Sequence, residues 1–266
     1  MKRKSKVVVV GLGEVGKPLF ELISRYHDTV GVDVSPPPGE IGQVEVVHVC
    51  YPFQIKDFIG ETARYIDLYR PSLTVINSTV GIGTTRAIGD RTGTAVVYSP
   101  VRGKHAHMLD DLRLYTKFVG AADPEAGEQA ARHFQSVGLK TKVLSSTEAT
   151  ELAKLSETTY FGLLIAWAQE VERYCDTAGG NYDEVVSFFE EVKFFPPVKY
   201  FPGVIGGHCV MPNIEILSKY ARSVILDAIK ASNEMKVERE AVPERPTAIA
   251  QLPDAPITQG SIRRSL

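Results

Sequence analysis

Two short segments carry residue types that do chemistry. The first, Gly11-Leu-Gly13-Glu14-Val15-Gly16, follows the apolar run Val7 to Val10 and opens a helical stretch. In that setting Gly11 permits a tight turn, Gly13 lets the backbone approach a pyrophosphate, and Gly16 lets helix pack on strand. The N–H groups of the turn, Glu14 and Val15 included, and of the helix start then face the phosphates. Asp33 lies ~20 residues on, at the end of the next β-branched run, where a carboxylate accepts from both ribose hydroxyls and repels a 2′-phosphate. NAD is therefore expected rather than NADP. The second segment, Gly206-Gly207-His208-Cys209, sets a thiol after a glycine turn, beside a histidine, and ahead of a helix start expected at Pro212-Asn213. A helix N-terminus and a nearby cation both favour thiolate, the nucleophilic form.

Other candidates end strands. Tyr51-Pro52 closes one, and Thr79 closes another where a nicotinamide would lie; Thr84 or Thr85 is either a helix cap or part of that site. Val101-Arg102-Gly-Lys104-His105-Ala-His107 reads either as a clamp for a phosphate or carboxylate, through Arg102, Lys104, His105 or His107, or as a solvated basic loop. His105 and His107 have no carboxylate or cysteine at useful spacing, so no metal is expected.

The elements that must position these residues follow from pattern. Strands are expected at Lys6–Val10, Thr29–Val34, Val44–Cys50, Leu73–Asn77, Ala95–Tyr98, Phe118–Ala121 and Lys142–Leu144, with a helix at Gly16–Arg25. Apolar strands alternating with helices imply an α/β, Rossmann-type, doubly wound parallel sheet over residues 1–145. Ser145-Ser-Thr-Glu148 has capping-box spacing, and apolar residues then recur at helical spacing to Tyr174, predicting one helix of about thirty residues, ~45 Å. Helices at Asp183–Val192 and Asn213–Lys236 complete a small all-helical domain over 146–237. Four prolines after Lys236 mark 238–266 as a disordered tail.

Composition excludes several classes. The chain has 266 residues, 44% hydrophobic and 23% charged, with net charge -2, which gives no field for nucleic acid or an acidic membrane. No run approaches the ~20 apolar residues of a membrane span. The basic start, Met1 to Lys6, precedes only four apolar residues, a buried strand rather than a signal peptide. Three scattered cysteines suit a reducing compartment, the cytoplasm. The long helix has more apolar face than a small domain covers, which predicts a homodimer through it.

Several segments resemble the UDP-glucose/GDP-mannose dehydrogenase family. They are the glycine fingerprint, Ser78-Thr79-Val80, Ser99-Pro100, Glu151-Leu-Ala-Lys154, Pro202-Gly-Val-Ile-Gly206-Gly207-His208-Cys209 and Ala231-Ser-Asn233-Glu234, in order over residues 5–237. The resemblance implies NAD-dependent oxidation of a sugar or sugar-nucleotide alcohol through an aldehyde. Cys209 would be the nucleophile, Lys154 the oxyanion stabiliser, and Thr79 the holder of a water; Gly206, Gly207 and His208 would bind substrate. The chain departs from the family where an asparagine gives way to Thr158, an aspartate to Asn213 and a carboxylate to Val101, and one loop glycine is missing. An amide cannot act as general base, so Asn213 alters the proton path, and Val101 puts acid formation in question. The chain also stops where the family's third, nucleotide-contacting domain begins. Two alternatives remain: a one-step β-hydroxyacid-type dehydrogenase using Lys154 as acid/base, or a non-catalytic NAD-binding protein.

Overall fold

The computed structural model describes residues 6–33, 41–103, 107–192, 201–207 and 209–241. Contacts divide the chain into two compact units. One holds residues 1–162 with 206–226, the other 163–205 with 227–266.

The first unit is built on a seven-stranded sheet: β1 Lys6–Val10, β2 Asp28–Val32, β3 Val46–Val49, β4 Leu73–Ile76, β5 Val96–Tyr98, β6 Lys117–Gly120 and β7 Thr141–Leu144. Their order is β2-β1-β3-β4-β5-β6-β7. The first five pair in parallel. The fully parallel sheet expected from sequence breaks at β6, which meets β5 antiparallel through Tyr98 and Gly120, while β7 runs parallel to β6. The cause is the connection: it turns back at the carboxyl end of β5 through the seven-residue helix α4, Met108–Leu114.

Helices α1 (Gly16–Ile23), α2 (Phe58–Tyr69), α3 (Thr84–Thr92) and α5 (Pro124–Ser136) cover the sheet. Alternate residues of β1 go to opposite faces. Val7 and Val9 pack with Leu19, Leu22 and Phe134, whereas Val8 and Val10 pack with Phe58, Ile66 and Ile88. Burial on both faces is why the strands read as unbroken apolar runs.

Helix α6, Thr147–Ala178, has 32 residues. Its cap is Ser146, one residue later than the spacing suggested: Ser146 Oγ accepts from the Ala149 amide at 3.1 Å, and the Glu148 carboxylate pairs with Arg86. Its first half belongs to the sheet unit, where a Cβ on Gly120 would collide with Thr150, so helix and β6 are in direct backbone-to-side-chain contact. The single helix expected over Asn213–Lys236 is two, α8 Val210–Ser218 and α9 Val224–Ala241. The Tyr220 hydroxyl donates to the Ile82 carbonyl at 2.9 Å, and Ser223 Oγ accepts from the Leu226 amide at 3.3 Å to start α9. A tertiary anchor and a new cap thus override continuous apolar spacing. Helix α9 also runs into the segment read as a disordered tail, whose residues beyond 241 lie outside the described part.

The second unit holds the rest of α6, α7 (Tyr182–Glu190) and most of α9. Gln169 Nε2 donates to the Gly203 carbonyl, and Lys236 pairs with Glu172 at 2.7 Å. Trp167 and Tyr174 on α6 are 53% and 57% exposed, more than core residues would be. Among the described residues, no helix is long and apolar enough to cross a membrane.

Candidate active site

Gly11, Asp33, Tyr51, Asn77 and Ser99 follow the five parallel strands, so their segments gather at one edge of the sheet. The chain leaves β1 for β2 on one side and returns as β3 on the other. The crevice at this reversal is where open α/β sheets take ligands. Gly11 sits there with φ +88, its amide donating to the Val32 carbonyl at 2.8 Å. A side chain at Gly11 would meet the Tyr51 amide at 2.6 Å, and one at Gly16 would collide with the Gly11 carbonyl and press on Cys50. Gly13 differs: nothing among the described residues lies within 4 Å of its Cβ position. Helix α1 begins without a side-chain cap after Val15 and has no acidic residue in its first turn. Space at Gly13 and an uncapped helix start together suit a pyrophosphate. Asp33 is exposed just past β2. Tyr51 is held by its hydroxyl against Thr62 at 2.5 Å and by ring contact with Phe58, and Pro52 beside it is exposed. Burial is the main cause that pushes the Tyr51 phenol above its ordinary value.

Thr79 lies half-buried past β4, after Ser78, whose hydroxyl donates to the Tyr51 carbonyl at 2.6 Å and so joins the two strand ends. Thr85 proves to be a docking point. Its amide and hydroxyl donate to Glu151 Oε1 at 2.9 and 2.7 Å, and the Gly83 amide donates to Glu151 Oε2 at 2.6 Å. Glu151 is fully buried and satisfies the open start of α3 from α6.

One turn along α6, Lys154 lines a cavity of about 360 Å³ whose other polar groups are Arg102, Thr150 and Glu157 and whose apolar wall includes Pro100, Phe118 and Leu144. Lys154 has no carboxylate within salt-bridge distance among the described residues. Burial lowers its pKa, countered by Glu157 and Cys209, with Arg102 adding to the lowering. The Cys209 thiol is therefore near enough to act on the lysine electrostatically. Cys209 is exposed and forms the N-cap of α8, so the helix starts at Val210 rather than at Pro212-Asn213. Asn213 is buried one turn further along. Thr158 is also buried, and its hydroxyl donates to the Lys154 carbonyl at 3.0 Å, a helix-internal bond. Gly207 has φ +76, and the Cβ positions of Gly206 and Gly207 face open space among the described residues. His105 and His208 lie outside the described residues.

Arg102 is engaged rather than free: its guanidinium donates to Glu157 Oε1 at 2.7 and 3.1 Å and lies 5.5 Å from the centre of the Phe118 ring. The residue that the sequence concealed is Lys117. It is fully buried at the start of β6, and its ammonium donates to the carbonyls of Ser99 (2.5 Å) and Pro100 (3.0 Å) and to Asn77 Oδ1 (3.2 Å). Asn233, from a segment that the sequence singled out by resemblance, brackets Ile205 in the helical unit, its amide accepting from the Ile205 N–H at 2.7 Å and donating to the Ile205 carbonyl at 3.1 Å.

With that geometry, the likeness to known proteins can be placed. Residues 148–237 match the sequence profile described as the UDP-glucose/GDP-mannose dehydrogenase family, central domain. A curated relative, the NDP-N-acetyl-D-galactosaminuronic acid dehydrogenase of Ralstonia nicotianae, is 23% identical over 263 residues, covering 77% of this chain and 62% of the relative. The chain thus spans about 60% of the length of the curated relatives it matches. Among solved structures, the UDP-D-ManNAc dehydrogenase from Pyrococcus horikoshii superposes with TM-score 0.76 at 19% identity, over 89% of this chain and 70% of that one. The 3-hydroxyisobutyrate dehydrogenase of Mycobacterium tuberculosis, solved with L-serine, gives TM-score 0.68 at 15% identity, over 90% of this chain and 94% of that one.

Proposed function

We propose that the chain is an NAD-dependent dehydrogenase that oxidises a primary alcohol or aldehyde of a sugar or sugar nucleotide. The observation that carries this is Lys154: a half-buried ammonium with no carboxylate within salt-bridge distance among the described residues, lining a cavity and within electrostatic reach of Cys209 at the start of α8. A buried cation without a counter-charge is costly unless a ligand supplies one.

NAD would rest on Gly11, Gly13 and Gly16, with Glu14 and Val15 lending amides, Asp33 at the ribose, and Tyr51, Pro52 and Thr79 toward the nicotinamide. When bound it accepts hydride from the substrate carbon. The alcohol gives up that hydride and a hydroxyl proton to become an aldehyde. The Cys209 sulfur adds to the aldehyde carbon, and Lys154 holds the oxyanion that forms. A second hydride would leave the same carbon for a second NAD, taking the place of the NADH formed, as the oxyanion closes to the thioester carbonyl, and water would then release acid and thiol. Val101, buried and apolar, has no carboxylate to activate that water, so hydrolysis is the step expected to be slow. Gly206, Gly207 and His208 would bind the substrate, with Arg102 and His105 as further candidates for it. A reducing, cytoplasmic setting suits the exposed thiol, and the exposed aromatic residues of α6 favour a homodimer, expected to appear as twice the chain mass in light scattering.

A one-step hydroxyacid oxidation is the second reading. It is favoured by coverage of 94% of the 3-hydroxyisobutyrate dehydrogenase and by a lysine whose pKa burial lowers, as an acid/base requires. One experiment separates the two. NAD is titrated calorimetrically, then NADH absorbance is followed with nucleotide sugars and small hydroxy acids. The covalent reading expects Cys209→Ala to stop acid formation, and full activity in that variant refutes it. Retained turnover there, with a loss of about 10²–10⁴-fold in Lys154→Met, selects the one-step reading. Tight NAD binding with no reduction across both panels overturns catalysis altogether.

A further inference from the structure

Lys117 is the feature that the proposed chemistry leaves unexplained. Among the described residues no carboxylate lies within salt-bridge distance of it, although it is fully buried. Burial is the chief cause that brings its pKa down to about 7, with Lys154 lowering it further and Cys50 acting the other way. Removing an ammonium from water without a counter-ion is expensive, and such groups persist where their geometry is used. Here the three donors are divided between two strand ends. One bond goes to Asn77, at the end of β4; two go to the Ser99 and Pro100 carbonyls, at the end of β5.

A chain of polar groups runs away from the cation. Asn77 accepts from Lys117 through Oδ1 and donates through Nδ2 to His48 Nδ1 at 3.2 Å, and His48 Nε2 meets His133 Nε2 at 2.9 Å. Acceptance at His48 Nδ1 leaves the proton on its Nε2, which then donates to His133. Every dipole in the chain therefore points its negative end at the ammonium. The Phe134 ring lies 5.2 Å away on the same side. This arrangement stabilises charge at one spot, between two turns. Asn77 leads directly into Ser78 and Thr79, and Pro100 leads into Val101 and Arg102, with Pro100 and Arg102 both lining the Lys154 cavity.

We propose that Lys117 is a positioning residue: it clasps the ends of β4 and β5 and so fixes the spacing between the Thr79 turn and the Arg102 wall of the cavity. The proposal rests on the reading of that cavity as the substrate site for its kinetic consequence, but the clasp itself does not. Lys117 is also separate from the Gly11 turn, which has its own backbone contacts, so dinucleotide affinity is expected to be insensitive to it.

The test uses the full chain and Lys117→Met, similar in length but without donors. Hydrogen exchange followed by mass spectrometry is expected to show at least tenfold faster exchange in peptides covering 77–83 and 99–103, with peptides over 11–16 unchanged and NAD affinity within twofold. Steady-state kinetics is expected to show KM for the alcohol substrate raised tenfold or more, with kcat changed less. Unchanged exchange at both turns, or acceleration spread evenly over the sheet, overturns the clasp. Localised acceleration with unaltered KM overturns its role in positioning. If the wild type turns over no substrate, the proposed reaction fails, and the exchange data alone still decide the clasp. If the methionine variant does not fold, Lys117→Arg, which keeps the charge and donors, is expected to retain exchange within threefold of wild type at both turns; a selective tenfold loss of NAD affinity instead overturns the assignment.

Discussion

Two glycine turns would face ligands under the proposed function, and they are built differently. At Gly11–Gly16 the chain itself demands glycine: a side chain at either end would strike backbone from β3 or from the turn itself. At Gly206–Cys209 no described atom lies within 4 Å of the Cβ position at Gly206 or Gly207. The first turn is a cradle made rigid by its own packing. The second has open space at both glycines among the described residues, which under the proposed function a substrate would occupy.

The largest effect expected from that contrast comes from moving one methyl group. Gly16→Ala should lower the midpoint of thermal unfolding by 10 °C or more, or prevent folding, because its Cβ would lie against the Gly11 carbonyl. Gly206→Ala should stay within about 2 °C of wild type while changing substrate affinity. Equal thermal shifts in a calorimeter would erase the distinction.

Acid attacks the first region selectively. His48 and His133 are buried, their rings tilted against each other with centres 5.0 Å apart. Burial is the main cause that holds both in the neutral form, His133 down to about 3. In the unfolded chain histidines protonate near pH 6.5, so the unfolded state takes up protons that the folded state refuses. Stability should be intact above pH 6.5 and fall below it, by up to about 1.4 kcal/mol per pH unit for each histidine. Urea unfolding at pH 7, 5.5 and 4.5 measures this slope. His133→Phe should flatten it, and an unchanged slope in that variant would remove the histidines from the account.

The smallest expected effect sharpens the comparison within the first turn. Gly13→Ala adds a methyl into open space, so the fold should be untouched, while NAD affinity should drop about tenfold, near 1.4 kcal/mol. Calorimetric titration beside a melting curve reads both. A loss of stability without a loss of affinity would mean that Gly13 serves the turn and not a ligand.

The fingerprint was legible because each glycine has a local cause, and the strands because burial on two faces writes unbroken valine runs. Other features leave no local mark. The break between α8 and α9 has no proline or glycine behind it; it comes from Tyr220 reaching Ile82, a contact 138 residues distant in sequence. The antiparallel entry of β6 depends on how the connection through α4 turns back. Lys117 and Glu151 read as surface charges in any window of sequence, since only the assembled sheet and helices bury them. Of the candidate site, Lys154 and Cys209 were legible by likeness. Thr158 was read for its position, but its hydroxyl bonds back to its own helix.

Glu151 has one more consequence. Its carboxylate receives three donors from the start of α3, so α6 is keyed in rotation at a point one turn before Lys154. The bearing of the ammonium is thus decided by a lock away from the cavity walls. If the cavity is the substrate site, resizing Phe118, Leu144 or Ala153 is expected to change which ligand it admits while the cation keeps its aim, so that capacity and reactivity would be independently adjustable.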